Sequence, residues 1–85
     1  MAETFLLEVV TPDRLLLSEE VEEMTAPGGE GEFGVLLGHA HFLTSLKEGE
    51  LTYRKGGNAG RIPIKWGYAE IGPTKVTILA ETETT

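Results

Sequence analysis

A glycine-rich stretch from Pro27 to His41 most constrains how this chain folds. It contains five of the eleven glycines and both histidines. Glycine has no Cβ and reaches backbone angles that other residues adopt only at a cost, so this density indicates several tight turns rather than one helix or one long strand. Because apolar residues lie in its middle, part of this stretch must reach a core; they are Phe33, Val35, Leu36 and Leu37. We predict a surface loop held from inside, and such loops often carry function.

Alternation of apolar and polar residues predicts short strands through most of the chain. Phe5, Leu7 and Val9 share one face of a first strand. Further alternating segments lie at 42–46, 50–55, 62–71 and 76–80. Pro63 cannot donate to a ladder, so its strand is predicted at a sheet edge or beside a bulge. Short strands with turn signals about every eight to twelve residues are typical of an all-β sandwich or barrel.

Residues 13–25 fit two structures equally well. Thr11 as N-cap, Pro12 and Asp13 would start a helix. The apolar run 15–17 and the crowded glutamates after it instead favour two short strands with a bulge near Glu22–Glu23. The residues alone leave both open.

Two local predictions concern the second half of the chain. The strands at 42–46 and 50–55 are predicted to pair as a hairpin through the turn at 47–49. Trp66 and Tyr68, on either side of Gly67, are predicted to be core residues at a strand bend rather than a pair that stacks on a ligand.

Length and charge exclude several classes of protein. The 85 residues are predicted to form one domain, with a frayed polar tail at 81–85. The formal charge of −7 would repel phosphate backbones, so nucleic acid is a poor partner. The chain has no cysteine, which fits a reducing compartment. We find no basic-then-apolar leader and no apolar run long enough to cross a membrane.

Three motifs could in principle bind a nucleotide, bind a metal or catalyse a reaction, but none meets the requirements of that function. The segment 29–34 matches G-x-G-x-x-G, but two glutamates lie inside it and no helical pattern follows to bind a pyrophosphate. His39 and His41, with Glu30 and Glu32 upstream, make a poor metal site because alternate residues of an extended segment point to opposite faces. A Ser-His-Asp triad has no support in the spacing. We therefore predict no catalysis, no metal and no cofactor.

Taken together, several segments resemble one family closely over the whole chain, in order. They are Thr-Pro at 11–12, Pro-Gly-Gly-Glu-Gly-Glu-Phe-Gly-Val-Leu-Leu-Gly-His-Ala at 27–40, Leu-Thr-Ser-Leu-Lys-Glu-Gly-Glu-Leu at 43–51, Trp-Gly-Tyr-Ala-Glu-Ile at 66–71 and Val-Thr-Ile-Leu-Ala-Glu-Thr at 76–82. The family is the epsilon subunit of F-type ATP synthases, called delta in mitochondria. The resemblance implies a flattened β-sandwich of about ten short strands, which would make 13–25 strands.

The resemblance also implies a function. Family members are non-catalytic rotor subunits that bind the gamma subunit and rest on the ring of c subunits, at the cytoplasmic face of the bacterial inner membrane. Membrane contact is then made only through the complex. The loop from Gly31 to His41 would face the ring, with Glu32 and His39 as its ring-facing polar residues and with Gly34, Gly38 and Ala40 shaping it.

Two departures from the family pattern matter. Prolines usually flank the Gly-His-Ala of the family, whereas this chain has Leu37 and His41 there, and losing two fixed φ angles should loosen the loop. Most members also continue into a helical hairpin, which is absent from these 85 residues. We expect no ATP binding without it, and an exposed apolar patch where it would pack. The alternative function is a free-standing β-sandwich that binds a small ligand or a metal through the loop 27–41.

Overall fold

A computed structural model describes residues 3–36 and 41–82. In these ranges the chain forms nine strands and no helix, which confirms the expected all-β fold. The strands are β1 (Phe5–Val10), β2 (Leu15–Val21), β3 (Glu23–Gly28), β4 (Gly31–Val35), β5 (Phe42–Leu46), β6 (Gly49–Lys55), β7 (Asn58–Ile64), β8 (Trp66–Ile71) and β9 (Lys75–Glu81).

The strands make one continuous hydrogen-bonded sheet that curls over on itself. Its order is β2-β1-β9-β8-β5-β3-β6-β7, and β4, which lies outside this order, pairs with β3. The link between β5 and β3 is short: Gly28 lies opposite Leu46, and Lys47 N donates to Pro27 O at 2.9 Å. Near the far ends of the order, Lys55 of β6 pairs with Glu19 of β2. Because these ends meet, the sheet forms the two layers of a sandwich.

The two layers enclose a single apolar core. Strand β1 alternates buried and half-buried residues, and strand β8 alternates exposed and buried ones. Leu7, Val9 and Ile78 have no exposed surface. Each such side chain stabilises the fold by roughly 1.5–3 kcal/mol on burial. No charged or polar side chain is buried among the described residues, so the core holds together without internal ion pairs.

The first and last strands, β1 and β9, lie side by side inside the sheet, next to the edge strand β2. They run parallel, with Leu7 opposite Val76 and Val9 opposite Ile78. β1 therefore pairs along its length with residues about seventy positions later in the chain, a contact of long sequence separation.

The open question over 13–25 is settled in favour of two strands. β2 and β3 are separated by Glu22 alone, where the chain bends. The predicted hairpin of 42–46 with 50–55 is wrong, because β5 pairs with β8 and β6 pairs with β7. The turn at 47–49 instead carries the chain from one layer to the other.

Two boundaries differ from the sequence-based expectation. The predicted continuous segment 62–71 breaks at Lys65, whose N donates to Glu81 O at 2.8 Å, and β7 lies at a sheet edge as Pro63 indicated. Glu81 belongs to β9, opposite Trp66, and does not start the tail. Residues 83–85 of the expected tail lie outside the described ranges.

Candidate interaction surfaces

The first part of the predicted ring-facing loop is a tight hairpin of β3 and β4. Gly28 lies opposite Gly31, so Gly29 and Glu30 form the two-residue turn. Gly31 has a φ of +136°, a conformation that side chains rarely adopt, which explains a glycine there. Glu32 lies opposite Pro27 and is exposed. The hairpin therefore holds the Glu32 carboxylate out in solvent on a rigid ribbon.

The remaining predicted loop residues divide between described and undescribed positions. Gly34 is an exposed residue of β4 opposite Thr25. Gly38, His39 and Ala40 lie outside the described ranges. His41 is exposed immediately before β5, with Nε2 3.3 Å from Oε2 of Glu70 on β8.

The loop forms no described metal or ligand site. Within 3–36 and 41–82, no three histidine, aspartate or glutamate side chains group as ligands for a metal ion. His41 lies beside Glu70, not beside Glu30 or Glu32. Two surface clefts, of about 650 and 340 Å³, are lined by residues from other parts of the fold. Thus no observation on the described residues supports the ligand-binding alternative.

The outer face of β8 and β9 is an exposed apolar surface; an exposed apolar patch was expected, but the residues of this face were not predicted to form it. Trp66 and Tyr68 are 54% and 53% exposed, so their prediction as core residues is wrong. Leu79, opposite Tyr68, is 53% exposed on the same face. With Val10 and Pro12 they line the 340 Å³ cleft. We call Val10, Trp66, Tyr68 and Leu79 the apolar face.

Close approach of β8 and β9 explains why the small residues of β8 point inward and its aromatic residues outward. A Cβ at Gly67 would lie 2.2 Å from the Leu79 carbonyl oxygen and 2.8 Å from the Ala80 Cα. Gly67 therefore fills an inner position that has no room for a side chain, Ala69 and Ile71 take the other inner positions, and the rings take outer ones. The sequence contained a signal for this outward orientation. Trp66, Tyr68 and the charged Glu70 are alternate residues of one strand, so their side chains lie on the same face.

The larger cleft lies between the ends of the two layers. Its floor includes Leu17, Tyr53 and Ile62, which pack on or belong to the core. Charges of both signs surround it: Asp13, Arg14, Arg61 and Glu81. This balance gives the cleft no strong preference for an anion or a cation.

Ion pairs join β6 to the strands beside it. The Arg54 guanidinium donates to carboxylate oxygens of Glu22 and of Glu23, and the Lys55 ammonium donates to Glu19. The hydrogen bond to Glu23 raises the pKa of Arg54, with the charge of Glu22 adding to it. The hydrogen bond to Glu19 likewise raises the pKa of Lys55. These pairs join β6 to β3, to β2 and to the bend between those two strands, and as surface pairs they contribute little to stability.

A known family of protein domains matches nearly the whole chain. The family model of the beta-sandwich domain of the ATP synthase delta/epsilon chain matches residues 4–84. The chain belongs to this family. An ATP synthase epsilon chain of Geobacter metallireducens is 57% identical over 82 residues, which make up 96% of this chain and 59% of the relative. The chain thus spans about three fifths of the length of that epsilon chain.

Solved structures support the same fold for this epsilon-type sandwich. A chain of the Euglena gracilis mitochondrial ATP synthase, solved with its c-ring, superposes with a TM-score of 0.85 at 30% identity. The match covers 91% of this chain and 50% of that one. A chain from the central stalk and c-ring of the Tetrahymena thermophila enzyme, at 16% identity and a TM-score of 0.75, covers 93% of this chain and 64% of that one, and supports the fold alone. Among the described residues, no helix has the length and apolar character needed to cross a membrane.

Proposed function

We propose that this domain is a non-catalytic central-stalk component of an F-type ATP synthase. It links the gamma subunit to the c-ring and couples proton flow to ATP synthesis. It works at the cytoplasmic face of the bacterial inner membrane and contacts the membrane only through the complex. Membership of the delta/epsilon family supports this proposal.

The apolar face is the observation that carries the proposal. Trp66, Tyr68 and Leu79 each expose more than half of their surface on adjacent strands. Contiguous exposed apolar patches mark sites of protein interaction, and aromatic residues are enriched at the centres of such interfaces. We assign this face to the gamma subunit. A rotor subunit needs a permanent contact of this kind, whereas a domain that binds a small ligand does not.

The hairpin of β3 and β4 is assigned to the c-ring. The resemblance implies that polar loops of the ring carry a basic residue, and Glu32 presents a carboxylate to solvent on a rigid ribbon. A pair at such an exposed site contributes little affinity, but it fixes the register of the two surfaces. Torque is then borne by the wider contact with gamma.

A binding experiment tests the contact with gamma. Purified chain and the cognate gamma subunit are run together on size exclusion, and the affinity is measured for wild type, Tyr68→Glu and Asn58→Glu. Asn58 is an exposed residue at the turn of β6 and β7, so Asn58→Glu adds the same charge away from the apolar face. We expect wild type and Asn58→Glu to co-elute with gamma. Tyr68→Glu should bind at least about tenfold more weakly, as loss of an interface tyrosine commonly does.

Each outcome of that experiment bears on a separate claim. Separate elution of a folded wild-type chain would contradict the stalk function. Wild-type affinity of Tyr68→Glu would leave the function standing and show that gamma binds elsewhere.

Charge reversal tests the contact with the ring. Glu32→Lys should weaken ATP-driven proton pumping in reconstituted membranes while leaving the melting temperature unchanged, because Glu32 is exposed. Glu48→Lys makes the same change at an exposed turn before β6 and should pump normally. Unchanged pumping by Glu32→Lys would refute the assigned role of this carboxylate.

A further inference from the structure

The start of β5 is attached to the rest of the fold by two consecutive side chains. The His41 imidazole lies against β8, with its Nε2 3.3 Å from Glu70 Oε2. The Phe42 ring packs edge-on against Phe33 of β4, with ring centroids 6.3 Å apart. The two residues thus reach different layers of the sandwich, and they lie at the point where the chain enters β5 from the loop.

The ladder between β5 and β8 ends at this point. Phe42 opposite Ile71 is its last pair, so His41 lies one residue beyond the ladder, and its side chain reaches back to Glu70, which lies opposite Leu43. A Cβ at Gly72 would lie 3.8 Å from Cδ2 of His41, which places the imidazole over the end of β8. The side-chain contact therefore prolongs the attachment of β5 where backbone pairing stops.

Few other charges face this contact. β5 has no charged residue, Glu70 is the only one in β8, and the turn 72–74 has none. On β9, Thr77 lies opposite Glu70, and the Lys75 ammonium is 3.0 Å from Glu8 of β1. On β4, Glu32 is exposed. Glu70 is thus the charged group within hydrogen-bonding reach of His41 among the described residues.

We propose that His41 and Glu70 form a pH-dependent clip that holds the start of β5 on β8. Histidine gains its charge between about pH 5 and 8, and the imidazolium then makes a charge-assisted hydrogen bond to the carboxylate. The neutral ring has only the weaker hydrogen bond. The clip therefore tightens as pH falls.

The clip adds a positioning role to the proposed function, and its consequence for the c-ring rests on that function. When His41 binds Glu70, the start of β5 is held on β8. A lower local pH would then hold the start of β5 more firmly. The clip itself is a property of the isolated chain and is testable without gamma or the ring.

Hydrogen exchange measured by NMR on the full 85-residue chain tests the clip. Protection factors, which are corrected for intrinsic exchange at each pH, are compared at pH 5.5 and 8.0 for the first β5 amides that face β8. Amides of β6 and β7 serve as the internal reference for global stability. Both side chains are largely exposed, so we expect a modest gain of about two- to fivefold at pH 5.5 in wild type.

Three variants test whether the His41–Glu70 contact causes the pH difference in protection. Glu70→Gln keeps the shape and a hydrogen-bonding group but removes the charge, and His41→Asn removes the titratable ring; both should lose the pH difference. Glu48→Gln removes a carboxylate beyond the other end of β5 and should keep it. An equal protection factor at both pH values in wild type, or a pH difference that survives in Glu70→Gln, would overturn the proposal. Failure of the chain to bind gamma would contradict the stalk function and leave this result unaffected.

Discussion

Two hairpins of the same sandwich differ in what they leave on their outer faces. In β6–β7, the large apolar residues Leu51, Ile62 and Ile64 point inward. In β8–β9, Ile71 and Ile78 are buried as well, but Trp66, Tyr68 and Leu79 point out. Both hairpins pair in regular antiparallel register. The fold therefore does not require an apolar outer surface, which suits β8–β9 to a contact outside the domain.

The hairpins also differ in how they are held. β6 is tied to its neighbours by the ion pairs of Arg54 and Lys55 at the surface. β8 and β9 lie between β5 and β1 in the sheet and approach each other so closely that Gly67 has no room for a Cβ. Substitutions in the two hairpins should therefore have unequal effects, and the differences can be measured.

The largest expected effect comes from adding one methyl group to each hairpin. Gly67→Ala places a Cβ against the backbone of β9, which cannot move without breaking the ladder, so we expect a loss of about 3 kcal/mol or more in the free energy of unfolding. Gly57→Ala, in the turn of β6–β7, meets nothing within 4 Å and should change it by less than about 1 kcal/mol. Denaturant unfolding measures both. Equal stabilities would mean that β8 and β9 are not in close contact.

Removing the same side chain from each hairpin gives the next largest effect. Leu51 has no exposed surface, so Leu51→Ala should cost about 2–5 kcal/mol of unfolding free energy through lost transfer energy and a cavity. Leu79→Ala removes a half-exposed side chain and should cost less than about 1 kcal/mol. The order should reverse for affinity to gamma, where Leu79→Ala should weaken binding more. A Leu79→Ala chain as unstable as Leu51→Ala would show that the apolar face belongs to the core.

The smallest effect concerns the ion pairs of β6. Glu19 raises the pKa of Lys55 in the folded chain above its usual value of 10.5. A raised folded pKa gives a stabilising contribution that is complete below the unfolded pKa and disappears as pH rises through the folded one. The difference in denaturant midpoint between wild type and Lys55→Gln should thus be small at pH 8 and vanish at strongly alkaline pH. Lys47→Gln is the control, and a midpoint difference that persists at high pH would contradict the ionic attachment.

The local pattern predicted strand positions well and strand partners poorly. The segments around Phe5–Val10 and Lys75–Glu81 were predicted as strands, yet nothing in either indicates that they lie side by side. The predicted hairpin of β5 and β6 failed for the same reason. A short turn between two alternating segments fits a hairpin locally, but pairing of β5 with β8 is decided by residues more than twenty positions away.

The candidate site was predicted unevenly. The glycines of the β3–β4 hairpin and the exposed Glu32 followed from turn chemistry and from the family resemblance. Trp66 and Tyr68 were assigned to the wrong face because aromatic residues are usually buried. This general tendency was given more weight than their alternation with the charged Glu70, which indicated an outer face. The His41–Glu70 contact could not be predicted, since it joins residues from two strands whose pairing was unknown.

The sequence by itself determined the class of this fold, its family and most of its strands. Period-two alternation and turn glycines act within a few residues, so they can be recognised in the chain without knowing its partners. Only the tertiary structure decided which residues face outward on β8 and β9. That choice depends on how closely two strands approach, and the approach is set by packing across the whole sandwich: Gly67 has space on its inner side only for hydrogen.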